Sequence, residues 1–194
     1  LQTMTKSLHL VGAAAETDDP AMEYLEIATN ETNRISNLVA QLREIYRPGT
    51  KPSGAMFNLV DLVTEVHNLM RRELEISNVK WVAETPAVGL WNSVGEKDQI
   101  KQVLLNICIN AIEAMQPTGG RLELIFAQGS PETNEIGLLI RDTGPGISNE
   151  YLERLFEPFQ TTKPRGGGLG LAISYEIIQR HQGKLVARNY GGGA

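Results

Sequence analysis

Glycine is distributed so unevenly that it divides the chain. Of the 19 glycines, 14 lie at or after Gly119, and only Gly12 precedes Gly49. The first 48 residues are therefore poor in helix breakers, with Pro20 and Pro48 as punctuation. Between those prolines Leu25, Ala28, Thr32, Ile35, Val39, Leu42 and Tyr46 step by 3, 4, 3, 4, 3, 4. That heptad seam predicts one long helix over 20–47. Upstream, Leu1, Met4, Leu8, Val11 and Ala15 repeat the same steps. Asp18-Asp19-Pro20 reads as the joining turn, with Asp19 as N-cap and Pro20 at the first helical position. An antiparallel hairpin of two helices is too thin to bury its apolar stripe alone. A four-helix bundle built from two copies, hence a homodimer, is the simplest remedy.

Residues 48–54 are a linker by composition, and 55–194 change to a mixed α and β pattern. Short strands are expected at 57–59, 79–83, 90–94, 121–127, 135–141 and 184–189, with helices over 60–75 and 97–115. The fold class is α+β, a helical hairpin followed by an α/β sandwich, read as one sheet covered on one face by helices. Composition closes off other classes. A net charge of −5 with no basic run argues against nucleic acid or anionic lipid as a partner. The single Cys108 excludes an intramolecular disulfide and a cysteine-based zinc site, and suits a reducing compartment. No apolar run approaches a membrane span, so this stretch is expected to be soluble, cytoplasmic and free of membrane contact.

The 97–115 helix carries the first chemical clue. Gln99, Gln102, Asn106, Asn110 and Glu113 form one narrow stripe, flanked by Ile100, Val103, Leu104, Ile107 and Ala111 on one side and Leu105, Cys108, Ile109 and Ile112 on the other. Such a stripe is either a solvent face or the wall of a polar cleft. Asn is a poor helix former, so two of them one turn apart favour the wall. Asn carbonyl oxygens and waters suit a hard, partly hydrated cation such as Mg²⁺.

Three further segments follow. Asp142-Thr143-Gly144-Pro145-Gly146-Ile147 comes directly after a strand, and its glycines allow close backbone approach to a ligand. The Asp142 carboxylate either orients a ring bearing an amino group or bonds its own turn. Ser148 caps a short helix. Phe156-Glu157-Pro158-Phe159 then packs a core, anchors a lid or stacks on a base. Thr161, Thr162, Lys163 and Arg165 precede Gly166-Gly167-Gly168-Leu169-Gly170-Leu171, which opens a helix with Leu169, Ile173 and Ile177 on one face. Free N–H groups at that helix start, with two cations before it, suit phosphate. The P-loop and dinucleotide fingerprints are both absent.

In this order the segments resemble the ATP-binding domain of sensor histidine kinases, within the wider group that includes Hsp90 and type II topoisomerases. Asn106-Ile107-Cys108-Ile109-Asn110-Ala111 resembles the N box, and Asp142 to Gly146 the first glycine box. Phe156 to Phe159 resembles the F box, and Gly166 to Gly170 the second glycine box; the four span about 65 residues. The 1–47 hairpin resembles the dimerisation and phosphotransfer domain. The resemblance implies ATP and Mg²⁺ as cofactors. Asp142 would read the adenine amino group, Asn110 would hold Mg²⁺ with Asn106 beside it, and Gly144, Gly146 and Ile147 would shape the adenine end. Residues Thr161 to Gly170 would form a short lid, with Lys163, Arg165 and the backbone of Gly168, Leu169, Gly170 and Leu171 near the phosphates, and Thr161, Thr162, Gly166 and Gly167 also among the ATP-binding positions. It implies phosphoryl transfer to a histidine and then to a response-regulator receiver domain.

Two features depart from that pattern. His9, His67 and His181 all lack the acceptor context, so the phosphoacceptor is expected upstream of Leu1. The chain also stops at Ala194, where the family continues into a further strand. Two other readings share the motifs: a degenerate kinase acting as a dimeric scaffold, and another ATPase or protein kinase of the same superfamily. Intact Asp142 and Asn110 count against the first, and the hairpin and F box against the second.

Overall fold

The computed structural model describes residues 24, 25, 27–30, 32, 35, 54–84, 91–129, 135–161 and 168–190. The described residues between 24 and 35 are helical, and the hydroxyls of Thr29 and Thr32 donate to the carbonyls of Leu25 and Ala28 at 2.8 and 2.7 Å. Thr32 of the heptad seam is buried, while Tyr24, Ile27 and the seam residue Ile35 are exposed. The rest of the expected hairpin and the linker up to Ser53 lie outside the described residues, as do Thr162, Lys163, Arg165, Gly166 and Gly167.

Strand β1 (Ala55–Asn58) runs straight into helix α1 (Leu59–Ile76). Asn58 makes the junction, its Oδ1 accepting from the N–H groups of Val60 and Asp61 at 2.8 and 3.3 Å, a cap that stabilises a helix by about 1 kcal/mol. Helical spacing brings Leu59, Leu62, Val63, Val66, Met70 and Leu74 to one buried face. Then follow β2 (Val79–Glu84), β3 (Asn92–Gly95), α2 (Lys97–Ala114), β4 (Gly120–Gln128), β5 (Ile136–Asp142), α3 (Asn149–Glu153) and α4 (Gly170–Arg180).

The strands form two sheets, not the single one expected. β1 pairs antiparallel with β3, and β2, β4 and β5 form a separate sheet in that order, β2–β4 parallel and β4–β5 antiparallel. The parallel pair needs a crossover, and β3 with α2 supplies it. Apolar faces of α1 and α2 cover the larger sheet, where Leu62, Ile112, Met115, Leu122 and Leu124 have almost no exposed surface.

α2 is buried on two sides. Leu104, Cys108, Ala111 and Ile112 enter the sheet core, while Val103 joins Leu169, Ile173 and Ile177 of the α4 segment in a second cluster, with Ile100 and Ile107 beside it. The polar stripe is narrow because only the space between those clusters is left to it. Part of one flank departs from the sequence expectation: Leu105 is only half-buried and Ile109 is exposed.

The strand expected at 184–189 is not formed. Side chains, not a backbone ladder, attach this segment: Asn189 grips the backbone of Ile147, and the Arg141 guanidinium of β5 lies 3.8 Å over the Tyr190 ring.

Candidate functional site

α2 and α4 lie antiparallel. Mid-α2, Asn106 donates through Nδ2 to the Ser174 hydroxyl at 2.9 Å, and Ser174 donates to the Gly170 carbonyl at 2.9 Å. A Cβ on Gly170 would overlap the Asn106 side-chain oxygen, so glycine is what lets α4 begin against α2. Eight residues further along α2, Ala114 lies against Gly144, where an added Cβ would come within 3.5 Å of it. Asn110 is half-buried between these contacts, and the separation along the helix is about 12 Å. One helix face thus joins the turn after β5 to the start of α4.

The turn after β5 is shaped by local bonds. Asp142 Oδ1 accepts the Gly144 N–H at 2.8 Å, the self-bonded turn that the sequence left open as one of two readings. Among the described residues Oδ2 has no partner, and Asp142 is exposed, so one oxygen builds the turn and the other remains available. Thr143 ties the turn to β4, its hydroxyl accepting the Arg121 N–H at 3.0 Å. Gly146 has a φ of 76°, a conformation that side-chain-bearing residues rarely adopt. Asn189 holds the next residue on both sides, accepting the Ile147 N–H at 2.9 Å and donating to its carbonyl at 2.6 Å. Both backbone groups of Ile147 are thereby committed to Asn189.

The segment joining α3 to α4 is stapled at its base. Ser148 caps α3 by accepting the Tyr151 N–H at 3.3 Å, and the Tyr151 hydroxyl donates to the Gln160 carbonyl at 2.9 Å. Phe159 N–H donates to the Gly168 carbonyl at 2.9 Å, so the chain returns next to its own departure point. Gly168 has a φ of 63°, and a Cβ there would sit 2.6 Å from the Phe159 carbonyl carbon. The two Phe residues differ: Phe156 stacks on Tyr175 of α4 at 5.0 Å between centroids, whereas Phe159 is exposed. Leu169, the N-cap of α4, offers no side-chain cap, which leaves first-turn N–H donors for an anion.

A cavity of about 290 Å³ opens beside Asn106 and Gly170, bordered by Gln102, Leu105, Ile109 and Ser174. It does not reach Asp142 and belongs to the end of the cleft at which α4 starts. Below it α1 and α2 are joined by Glu65, which meets both Lys97 and Lys101 at 2.7 Å, while Lys101 also meets Asp98 at 2.8 Å. Hydrogen bonds from Lys101 and then Lys97 bring the Glu65 carboxyl down to about 2 from the ordinary 4.5. The stability this carboxylate contributes is fully present above about 4.5 and is lost as pH falls through about 2. The urea midpoint of Glu65→Gln is therefore expected below wild type at neutral pH, with the gap closing across that acid range. A constant gap would mean that charge plays no part. Cys108 is buried in the core, which pushes its thiol up to about 12 and leaves it unreactive.

Of the residues singled out from sequence, the structure groups Asn106, Gly168, Leu169, Gly170 and Leu171 at one end and Asp142, Gly144, Gly146 and Ile147 at the other, with Asn110 between them on the α2 face. Thr161 lies at the edge of the connecting segment. Ser174, Asn189 and Tyr151 were missed. Ser174 lies one turn after Gly170, a spacing that marks it in retrospect, while nothing local distinguishes Asn189. Among the described residues no cluster of three His, Cys, Asp or Glu is placed to hold a metal. No helix among the described residues is long and apolar enough to cross a membrane.

Residues 95–194 match the family described as histidine kinase-, DNA gyrase B-, and HSP90-like ATPase. Sporulation kinase A of Bacillus subtilis (strain 168) is 31 % identical over 170 residues, covering 86 % of this chain and 27 % of that protein. The signal transduction histidine-protein kinase AtoS of Escherichia coli (strain K12) is 35 % identical over 181 residues, covering 92 % and 29 %. The chain thus spans under a third of the length of these relatives. The solved structure of the histidine kinase ThkA in complex with the response regulator protein TrrA aligns with a TM-score of 0.71 at 27 % identity, covering 98 % of this chain and 54 % of that one.

Proposed function

This chain belongs to the histidine kinase-, DNA gyrase B-, and HSP90-like ATPase family, and on that premise we propose that it is the core of a two-component sensor histidine kinase that binds ATP with Mg²⁺. The observation that carries the reading is the single face of α2 that meets Gly170 near Asn106 and Gly144 near Ala114, with Asn110 between. A nucleotide lying along that face has its base at the Asp142 turn and its phosphates at the start of α4. Asp142 Oδ2 accepts from the adenine amino group while Oδ1 keeps the turn in shape. The N–H groups of Leu169 to Leu171 and the α4 dipole take the phosphates, reinforced by Lys163 and Arg165. Asn110 would hold Mg²⁺ through its side-chain oxygen, and the cation would supply neutralisation of the phosphate charge. Asn106 acts indirectly, holding α4 against α2 through Ser174.

The acceptor is a histidine other than those present here. His67 stacks on Trp81 at 4.9 Å, both His181 nitrogens are bonded, and His9 lacks the acceptor context. Two copies pair through the 1–47 hairpin, and a receiver domain takes the phosphoryl onto an aspartate. The relatives' kinase names and the ThkA–TrrA complex support this reading. Incubation of the full-length protein with γ-labelled ATP and Mg²⁺ is expected to give acid-labile, base-stable label. Acid-stable label, or ATP consumption with no labelled protein, would contradict it.

A further inference from the structure

His181 is the C-cap of α4, at the opposite end from the proposed phosphate site. Its Nε2 accepts the Glu96 N–H at 3.0 Å, and its Nδ1 lies 2.8 Å from the Ile177 carbonyl. An acceptor at Nε2 carries no hydrogen, so the ring proton is on Nδ1 and donates to Ile177. Glu96 is the N-cap of α2, and its own side chain makes no cap bond. The ring therefore closes the end of one helix and the start of the other. It is seated closely: a Cβ on Gly95 would come 2.9 Å from Nε2.

The two helices are thus pinned twice. Glu96 to Asn106 is about 15 Å along α2, and His181 to Gly170 is about 16 Å along α4, so the pins fall at matching distances. Between them Val103, Ile173 and Ile177 supply an apolar contact that alone does not select one axial register. We propose that His181 is a positioning residue for nucleotide binding: in its neutral, Nδ1-protonated form it fixes the register of α4 on α2, and so the distance of the α4 N–H groups from Asn110. This rests on the nucleotide reading above.

The test is calorimetric titration with a non-hydrolysable ATP analogue and Mg²⁺ at neutral pH. His181→Gln keeps an oxygen for Glu96 and an NH₂ for Ile177, whereas His181→Ala keeps neither. His181→Ala is expected to bind the analogue about tenfold more weakly than wild type, and His181→Gln to recover most of that loss. Thermal unfolding of each protein without nucleotide confirms that the variants are folded. Wild-type affinity in a folded His181→Ala, or a His181→Gln as weak as His181→Ala, overturns this inference alone. Wild type that binds no analogue at neutral pH overturns the nucleotide reading and this inference with it.

Discussion

Asp142→Ala is expected to lower adenine nucleotide affinity by about tenfold to a hundredfold, since it strands the ligand amino group and frees the ring to rotate. Alanine also removes the bond from Gly144 N–H to Oδ1 at 2.8 Å, so loss of binding alone would not separate recognition from turn collapse. Asp142→Asn makes that separation. Its Oδ1 still accepts from Gly144, and the turn with the Gly146 φ of 76° persists. Its NH₂ then faces the adenine amino group, donor against donor. Calorimetry is expected to show Asp142→Asn nearly as weak as Asp142→Ala, with an unfolding midpoint close to wild type. Wild-type affinity in Asp142→Asn would remove the carboxylate from base recognition.

Gly170→Ala is the second large effect, and its sign runs against helix propensity. In an open helix the change is favourable by about 1 kcal/mol. Here the methyl overlaps the Asn106 side chain, so a cost of about 1–3 kcal/mol is expected as α4 is forced away from α2. Because α4 carries the phosphate-facing N–H groups, nucleotide affinity should fall together with stability. Asn106→Ala opens space for the methyl, so the double variant should recover much of the stability lost by Gly170→Ala without recovering affinity. That coupling is measured by urea denaturation of the four proteins. Additive effects would show that the two side chains do not meet.

Much of this was readable in the residues. The stripe on α2 was visible because Val103, Leu104, Cys108 and Ile112 leave so little of the circumference to polar groups, and the structure explains the narrowness by two cores on one helix. The capped start of α3 follows from Ser148 directly before the helix, whereas the Asn58 cap of α1 falls inside the stretch read as strand. What escaped depends on residues distant in sequence. The 184–189 segment reads as a strand around Leu185 and Val186, yet its attachment is set by where Ile147 and Arg141 happen to lie. Two sheets replace one because β1 and β3 pair with each other, a choice of partner that alternation does not encode. The Asn106–Ser174 and His181–Glu96 bonds span 68 and 85 residues, and the pairing of partners that far apart is not set by local sequence. Asp142 shows the remaining limit: the sequence posed turn and ligand as alternatives, and a carboxylate with two oxygens allows both.

The nucleotide cleft is tested most directly by a crystal structure of the chain with a non-hydrolysable ATP analogue and Mg²⁺. The expected result has the adenine amino group on Asp142 Oδ2, the cation on Asn110 and the phosphates on the N–H groups of Leu169 to Leu171. An analogue bound in full with its base away from Asp142, or its phosphates away from the start of α4, would contradict it.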